Sequence, residues 1–285
     1  MRDPNNLPYL LRLLDDESEV VRENVLTQLS AFGPFLEIEL SRFNIPTSPQ
    51  QRLQLRNLLG QHSRRWLIDH WPSWKEETED KARLERALAL IAEFQYGPGY
   101  PSHLTPSLDR LAGEFRKRTS GIDPLALAAF LFKTKGLQGA ETDYFNPFHS
   151  NLVYVLEEGH GNPLSLTAIY MLVGHRFGLE IEGCNFPGHF LARTRFDEKT
   201  FVVDCYNGGR FLDKNDLVSV NKGPAMRIGE LLEADCPAEK IIARSLNNLV
   251  HAYRQEDQPE NVDLMQRLLK EIDDEPPAKD EGEEQ

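Results

Sequence analysis

The chain has 285 residues, 40% hydrophobic and 27% charged, with a net charge of −13. These proportions fit a globular protein of one or two domains and exclude a collagen-like, disulfide-stapled or wholly disordered chain. The acidic balance argues against nucleic acid or an anionic membrane as the partner, and no apolar run approaches the roughly 18 residues of a membrane-spanning helix.

The N-terminus, Met1-Arg2-Asp3-Pro4-Asn5, meets acid and proline before a signal-peptide core could form. The expected location is therefore the cytoplasm. Leu7 to Leu14 predicts a short helix, and Ser18 to Gly33 a second one whose apolar face is Val21, Val25, Leu29 and Phe32. Asp15-Asp16 marks the turn between them and Gly33-Pro34 the stop. One such unit suits either a helical hairpin packed on the rest of the chain or the start of a repeat array, which needs about three units to stand alone. All three tryptophans, Trp66, Trp71 and Trp74, fall within nine residues. Such a cluster either binds a partner or packs two helical layers together. The charged stretch Glu76 to Arg83 is expected to lead into the main domain.

The middle of the chain is punctuated by four polar-residue–proline pairs: Thr105-Pro106, Asp123-Pro124, Asn146-Pro147 and Asn162-Pro163. Each predicts an N-cap followed by the first helical residue. Apolar stripes accompany these starts at Leu84, Leu88 and Ile91, at Leu108, Leu111 and Phe115, and at Leu166, Ile169, Tyr170, Val173 and Phe177. Gly136 and Gly178 sit where helices would stop. The period then changes. Leu179 to Asn185, His189 to Phe196 and Phe201 to Tyr206 predict three strands of a small antiparallel sheet. After Met226 the chain returns to a helical pair, and Asp273 to Gln285 carries −6 of the net charge with two prolines, the composition of a solvated, disordered tail.

One arrangement could carry chemistry. A hairpin of the second and third strands brings His189 near Asp204, and a carboxylate beside an imidazole fixes its tautomer and stabilises its cation. The helix starting at Asn162-Pro163 offers free N–H groups and a positive dipole end to a nucleophile or an oxyanion. Asn185, Arg193 and Asn207 are possible walls of the same cleft, while His149, His160 and His175 read as structural or exposed.

The phrases "LERALALIAEF", "LDRLAGEF", "NPFHSNLVYVLEE", "GNPLSLTAIYMLVGHRFGLEIEGCNFPGHFLAR" and "VVDCYNGGRFL" resemble the SirB-type transglutaminase-like family across roughly half the chain. "LLDDESEVVRENVLTQLSAFG" resembles a HEAT-type repeat, and "IIARSLNNLVHAY" the TPR-like helical end of that family. The resemblance implies a papain-like layout with a cysteine at a helix N-terminus and a histidine and an aspartate on successive strands. The last two carry over onto His189 and Asp204. The cysteine does not: its place falls on Pro163-Leu164-Ser165, where Ser165 alone has a side chain able to act as a nucleophile. A serine needs a base to become reactive, and near the third helical position its hydroxyl often serves the backbone instead. Cys184 and Cys205 are alternative thiols, more often small buried hydrophobes than nucleophiles.

The expected architecture is α+β: a helical, HEAT-like region over 1–75, a transglutaminase-like domain over 76–225, a TPR-like helical segment over 226–272 and an acidic tail over 273–285. The expected function is non-catalytic, with another protein as partner. An amide hydrolase or acyl transferase using Ser165, His189 and Asp204 is the alternative. Neither a cofactor nor a metal is expected, since no close Cys/His spacing and no glycine-rich phosphate loop between a strand and a helix occurs. The oligomeric state stays open.

Overall fold

A computed structural model describes residues 3–43, 45, 49–98, 100, 103–143, 145–186, 189–197, 199–212, 217 and 234–273. The acidic tail from 274 onward and the expected boundary at 225/226 lie outside the described residues. The architecture is α+β, and no described helix is long and apolar enough to cross a membrane.

The first helices bury a small core of their own. Helices α1 (Leu7–Arg12), α2 (Glu19–Ser30), α3 (Leu36–Arg42) and α4 (Pro49–His70) bring together Leu10, Val25, Leu29, Phe32, Leu40 and Leu55. The far end of α4 belongs to the main core instead, where Leu67, Trp71 and Trp74 are almost fully buried. Trp71 and Trp74 meet edge to face at 6.1 Å, and Trp66 stacks on His70 at 4.5 Å. Burial on this scale is the layer-packing use of tryptophan.

Where the two cores meet, glycines set the approach. Gly97 follows α5 (Asp80–Tyr96) at φ +96°, and a β-carbon there would lie 2.7 Å from the Ser30 carbonyl oxygen at the end of α2. Gly33, at φ +52°, stands equally close to the Tyr100 ring and the Tyr96 carbonyl. Both positions combine a left-handed backbone with no room for a side chain.

Helix α6 (Leu104–Arg118) corrects one expectation. It begins one residue before Thr105, with His103 as the N-cap, so Pro106 occupies the third helical position. Proline fits there because the first-turn N–H groups have no intrahelical acceptor. The other three pairs form as expected. Asp123 caps α7 (Pro124–Ala128), which continues as a π-helical turn over Ala129–Thr134, and Asn146 caps a 3-10 turn at Pro147–Ser150. Strand β1 (Gln138–Gly139) precedes α8 (Leu152–Glu158), and β2 (His160–Gly161) pairs with β1 in parallel. Asn162 then caps α9 (Pro163–His175). Every residue from Pro163 to Gly174 is buried, so α9 is enclosed on all sides rather than along the single stripe expected.

The main sheet is antiparallel in the order β3 (Ile181–Phe186), β4 (His189–Phe196), β5 (Lys199–Asp204), β6 (Arg210–Leu212). The side chains alternate between two environments. Ile181, Phe190, Ala192 and Val203 join the main core with α9 and with α10 (Ala238–Gln255). Cys184, Phe186, Leu191 and Val202 form a separate small cluster on the opposite face. Helix α11 (Pro259–Asp273) closes the chain against α10. The third strand starts earlier than expected and ends at Asp204, leaving Cys205 and Tyr206 in the turn.

Candidate functional site

The β4–β5 ladder pairs Ala192 with Val203, and Phe196 with Lys199. Carried one residue toward the hairpin's open end, this register sets Asp204 opposite Leu191, so His189, two residues before Leu191, is its diagonal neighbour on the same face. Their side chains meet: His189 Nε2 lies 3.0 Å from Asp204 Oδ1, with the two side chains 16% and 3% exposed. A carboxylate only accepts, so Nε2 carries the proton and Nδ1 is left as the acceptor of a neutral ring.

The turn after β5 completes the acceptor's shell. Asn207 donates its backbone N–H to Asp204 Oδ1 at 3.1 Å and its amide to Oδ2 at 2.7 Å. Gly209 N–H closes the turn on the Asp204 carbonyl, with Gly208 and Gly209 both at positive φ. Burial pushes the Asp204 pKa up, but the hydrogen bonds from His189 and Asn207 outweigh it and hold the carboxyl below its ordinary value.

Ser165 lies at the third position of α9, fully buried. Its N–H donates to Asn162 Oδ1 at 2.9 Å, and its hydroxyl donates to the Asn162 carbonyl at 3.0 Å. Asn162 in turn donates from Nδ2 to Ser150 Oγ at 2.9 Å. The structure thus brings His189 and Asp204 together and commits the Ser165 hydroxyl to the helix cap. Strand alternation adds a separation. The parity of His189 and Asp204 matches Leu191 and Val202 on the small-cluster face, whereas α9 packs on the other.

Contacts run from one group to the other in series. The His189 ring meets Tyr206 edge to face at 6.2 Å, and the Tyr206 hydroxyl donates to the Ala140 carbonyl at 2.6 Å. Ala140 N–H donates to the Gly161 carbonyl, and Ser165 Oγ fills the space a β-carbon on Gly161 would need. Tyr206 was not among the expected site residues; its turn position hides its side-chain direction from a strand reading.

The remaining candidates go elsewhere. Burial pushes the thiols of Cys184 and Cys205 up to about 12, against nucleophilic use. Arg193 pairs with Glu182 across β3 and β4, and Asn185 accepts from Arg244 of α10. His149 is buried, and His160 and His175 are exposed. Among the described residues no group of three or more His, Cys, Asp or Glu side chains could hold a metal ion.

Helix α9 and strands β4 and β5 all lie within the segment that sequence comparison matches. The pattern of the transglutaminase-like superfamily matches residues 102–247, just over half of the chain. The chain belongs to the transglutaminase-like superfamily. Its transglutaminase-like domain has curated relatives. A UPF0162 protein of Xylella fastidiosa strain Temecula1 is 31% identical over 225 residues, covering 74% of this chain and 80% of that protein. A UPF0162 protein of Xylella fastidiosa strain 9a5c is 32% identical over 191 residues, 65% of each chain. F-box only protein 21 of Homo sapiens is 31% identical over 152 residues, 50% of this chain but 24% of that protein. No solved structure matches the chain significantly.

Proposed function

We propose that the chain is a non-catalytic, regulatory protein-interaction protein built on a transglutaminase-like scaffold without the usual cysteine nucleophile. The observation that carries this reading is the Ser165 hydroxyl, buried and donating to the Asn162 carbonyl rather than to His189. Of the other candidate nucleophiles, the Cys184 and Cys205 thiols are held protonated by burial. The SirB-type resemblance, the HEAT-like start and the TPR-like end all fit a protein partner in the cytoplasm. A match confined to 24% of F-box only protein 21 also fits a domain used as a module within longer proteins.

A second reading has one observation in its favour, the His189–Asp204 pair, which is the base-and-orienter half of a triad. In that reading Ser165, His189 and Asp204 hydrolyse an amide or transfer its acyl group. Intact-mass labelling with a serine-directed fluorophosphonate and a thiol alkylator, on wild type, Ser165→Ala and His189→Ala, separates the two. The expected result is no adduct that depends on His189. A stoichiometric adduct at Ser165 that disappears in His189→Ala would replace the first reading by the second, and a His189-dependent adduct at Cys184 or Cys205 would move the nucleophile there.

A further inference from the structure

One side chain from outside the sheet grips the hairpin that delivers His189. We infer that Arg244 of α10 is a positioning residue for the His189–Asp204 pair, which makes the first helix of the C-terminal pair part of the site. Phe186 and His189 are the closing pair of the β3–β4 hairpin, with two residues between them in the connection. Arg244 Nη1 donates to the Phe186 carbonyl at 3.2 Å and to Asn185 Oδ1, while the guanidinium carbon stands 5.2 Å over the Phe190 ring. The same side chain therefore holds the two residues before the connection and the residue after His189.

The consequence follows from strand geometry. Successive side chains point to opposite faces, so fixing the Phe190 ring on the α10 face fixes His189 on the face of Asp204. A change of register at this end would turn His189 away from its carboxylate. A planar guanidinium can stack on a ring and donate in its own plane at once, which an ammonium cannot. The base of the clamp is itself anchored: Asp80 of α5 accepts from Ala238 N–H at 2.8 Å, and Arg83 pairs with Glu239 at 3.0 Å.

The inference rests on the geometry of the pair and holds whether or not the pair performs chemistry. Its test uses the full chain, labelled with nitrogen-15, in wild type, Arg244→Gln, Arg244→Lys and Asn185→Ala. The His189 Nε2–H signal is assigned as the one lost in His189→Gln, and diethyl pyrocarbonate modification of His189 is followed by peptide mass with His160 and His175 as internal standards. Arg244→Gln is expected to abolish the signal and to speed modification of His189 several-fold, with the two standards unchanged and Arg244→Lys restoring part of both. A folded Arg244→Gln protein with both readouts at wild-type values would overturn the inference. If Arg244→Gln does not fold, Asn185→Ala decides: a weakened signal with faster modification supports the inference, and wild-type values overturn it.

Discussion

The Tyr206 ring stands 2.5 Å from the point where a β-carbon on Gly139 would lie, while its hydroxyl donates to the carbonyl of the next residue, Ala140. Strand β1 and the turn that supports His189 are thus fitted to each other by the absence of one methyl group. Gly139→Ala is expected to destabilise the protein by about 1–3 kcal/mol through overpacking. In a Tyr206→Ala background the same substitution should cost much less, because the colliding ring is gone. Urea denaturation of the four proteins of this cycle is the measurement, and an equal cost in both backgrounds would contradict the fit.

Asp204 gives the fold a pH dependence of known sign. Its folded pKa lies below the unfolded value of about 3.9. Its stabilisation is therefore complete above that value and is lost as pH falls through the folded pKa. Asp204→Asn, which keeps the shape and removes the charge, should cost about 1.5–3 kcal/mol at pH 7 as a charge-assisted bond is weakened. Urea midpoints of wild type and variant, compared from pH 7 down to pH 3, are expected to converge toward the acid end. A gap independent of pH would show that the charge of Asp204 contributes nothing.

The three thiols should differ in reactivity. Cys184 and Cys205 are buried and pushed up to about 12, and Cys236 is half-buried, with burial raising its pKa too. Iodoacetamide at pH 8 is expected to label native protein slowly and at Cys236 first, and all three positions readily in urea. Rapid native labelling of Cys205 would mean that the core around Thr167 opens.

Asn162 joins the start of α9 to the turn before α8 through Ser165 N–H and Ser150 Oγ. Asn162→Ala should cost about 0.5–2 kcal/mol for the cap alone. Asn162→Asp keeps the cap acceptor and loses the donor, so its loss should fall between wild type and alanine in thermal or urea unfolding.

The pairing of His189 with Asp204 was legible because alternation and a short turn are local signals. The three longer strands and the C-terminal helical pair were legible for the same reason. Elements of two or three residues, β1, β2 and β6, were not, since no period can be read from so few positions. The first turn of α6 misled because proline is tolerated at several first-turn positions. The orientation of Ser165 was out of reach, as a serine three residues after a cap can bond the backbone or face a cleft. Arg244 lay 55 residues beyond His189 in the chain, and only the folding of α10 against β3 connects them.

The crossed glycines at 33 and 97 bear on how the protein can be re-engineered. Gly33 is fitted to Tyr96 and Tyr100, and Gly97 to Ser30, so the N-terminal helices are matched to the start of the main domain. A chimaera that takes residues 1–60 from one relative and the remainder from another will need a glycine on both sides of that junction. A side chain at position 97 would collide with the Ser30 backbone, and one at position 33 with the Tyr100 ring and the Tyr96 carbonyl.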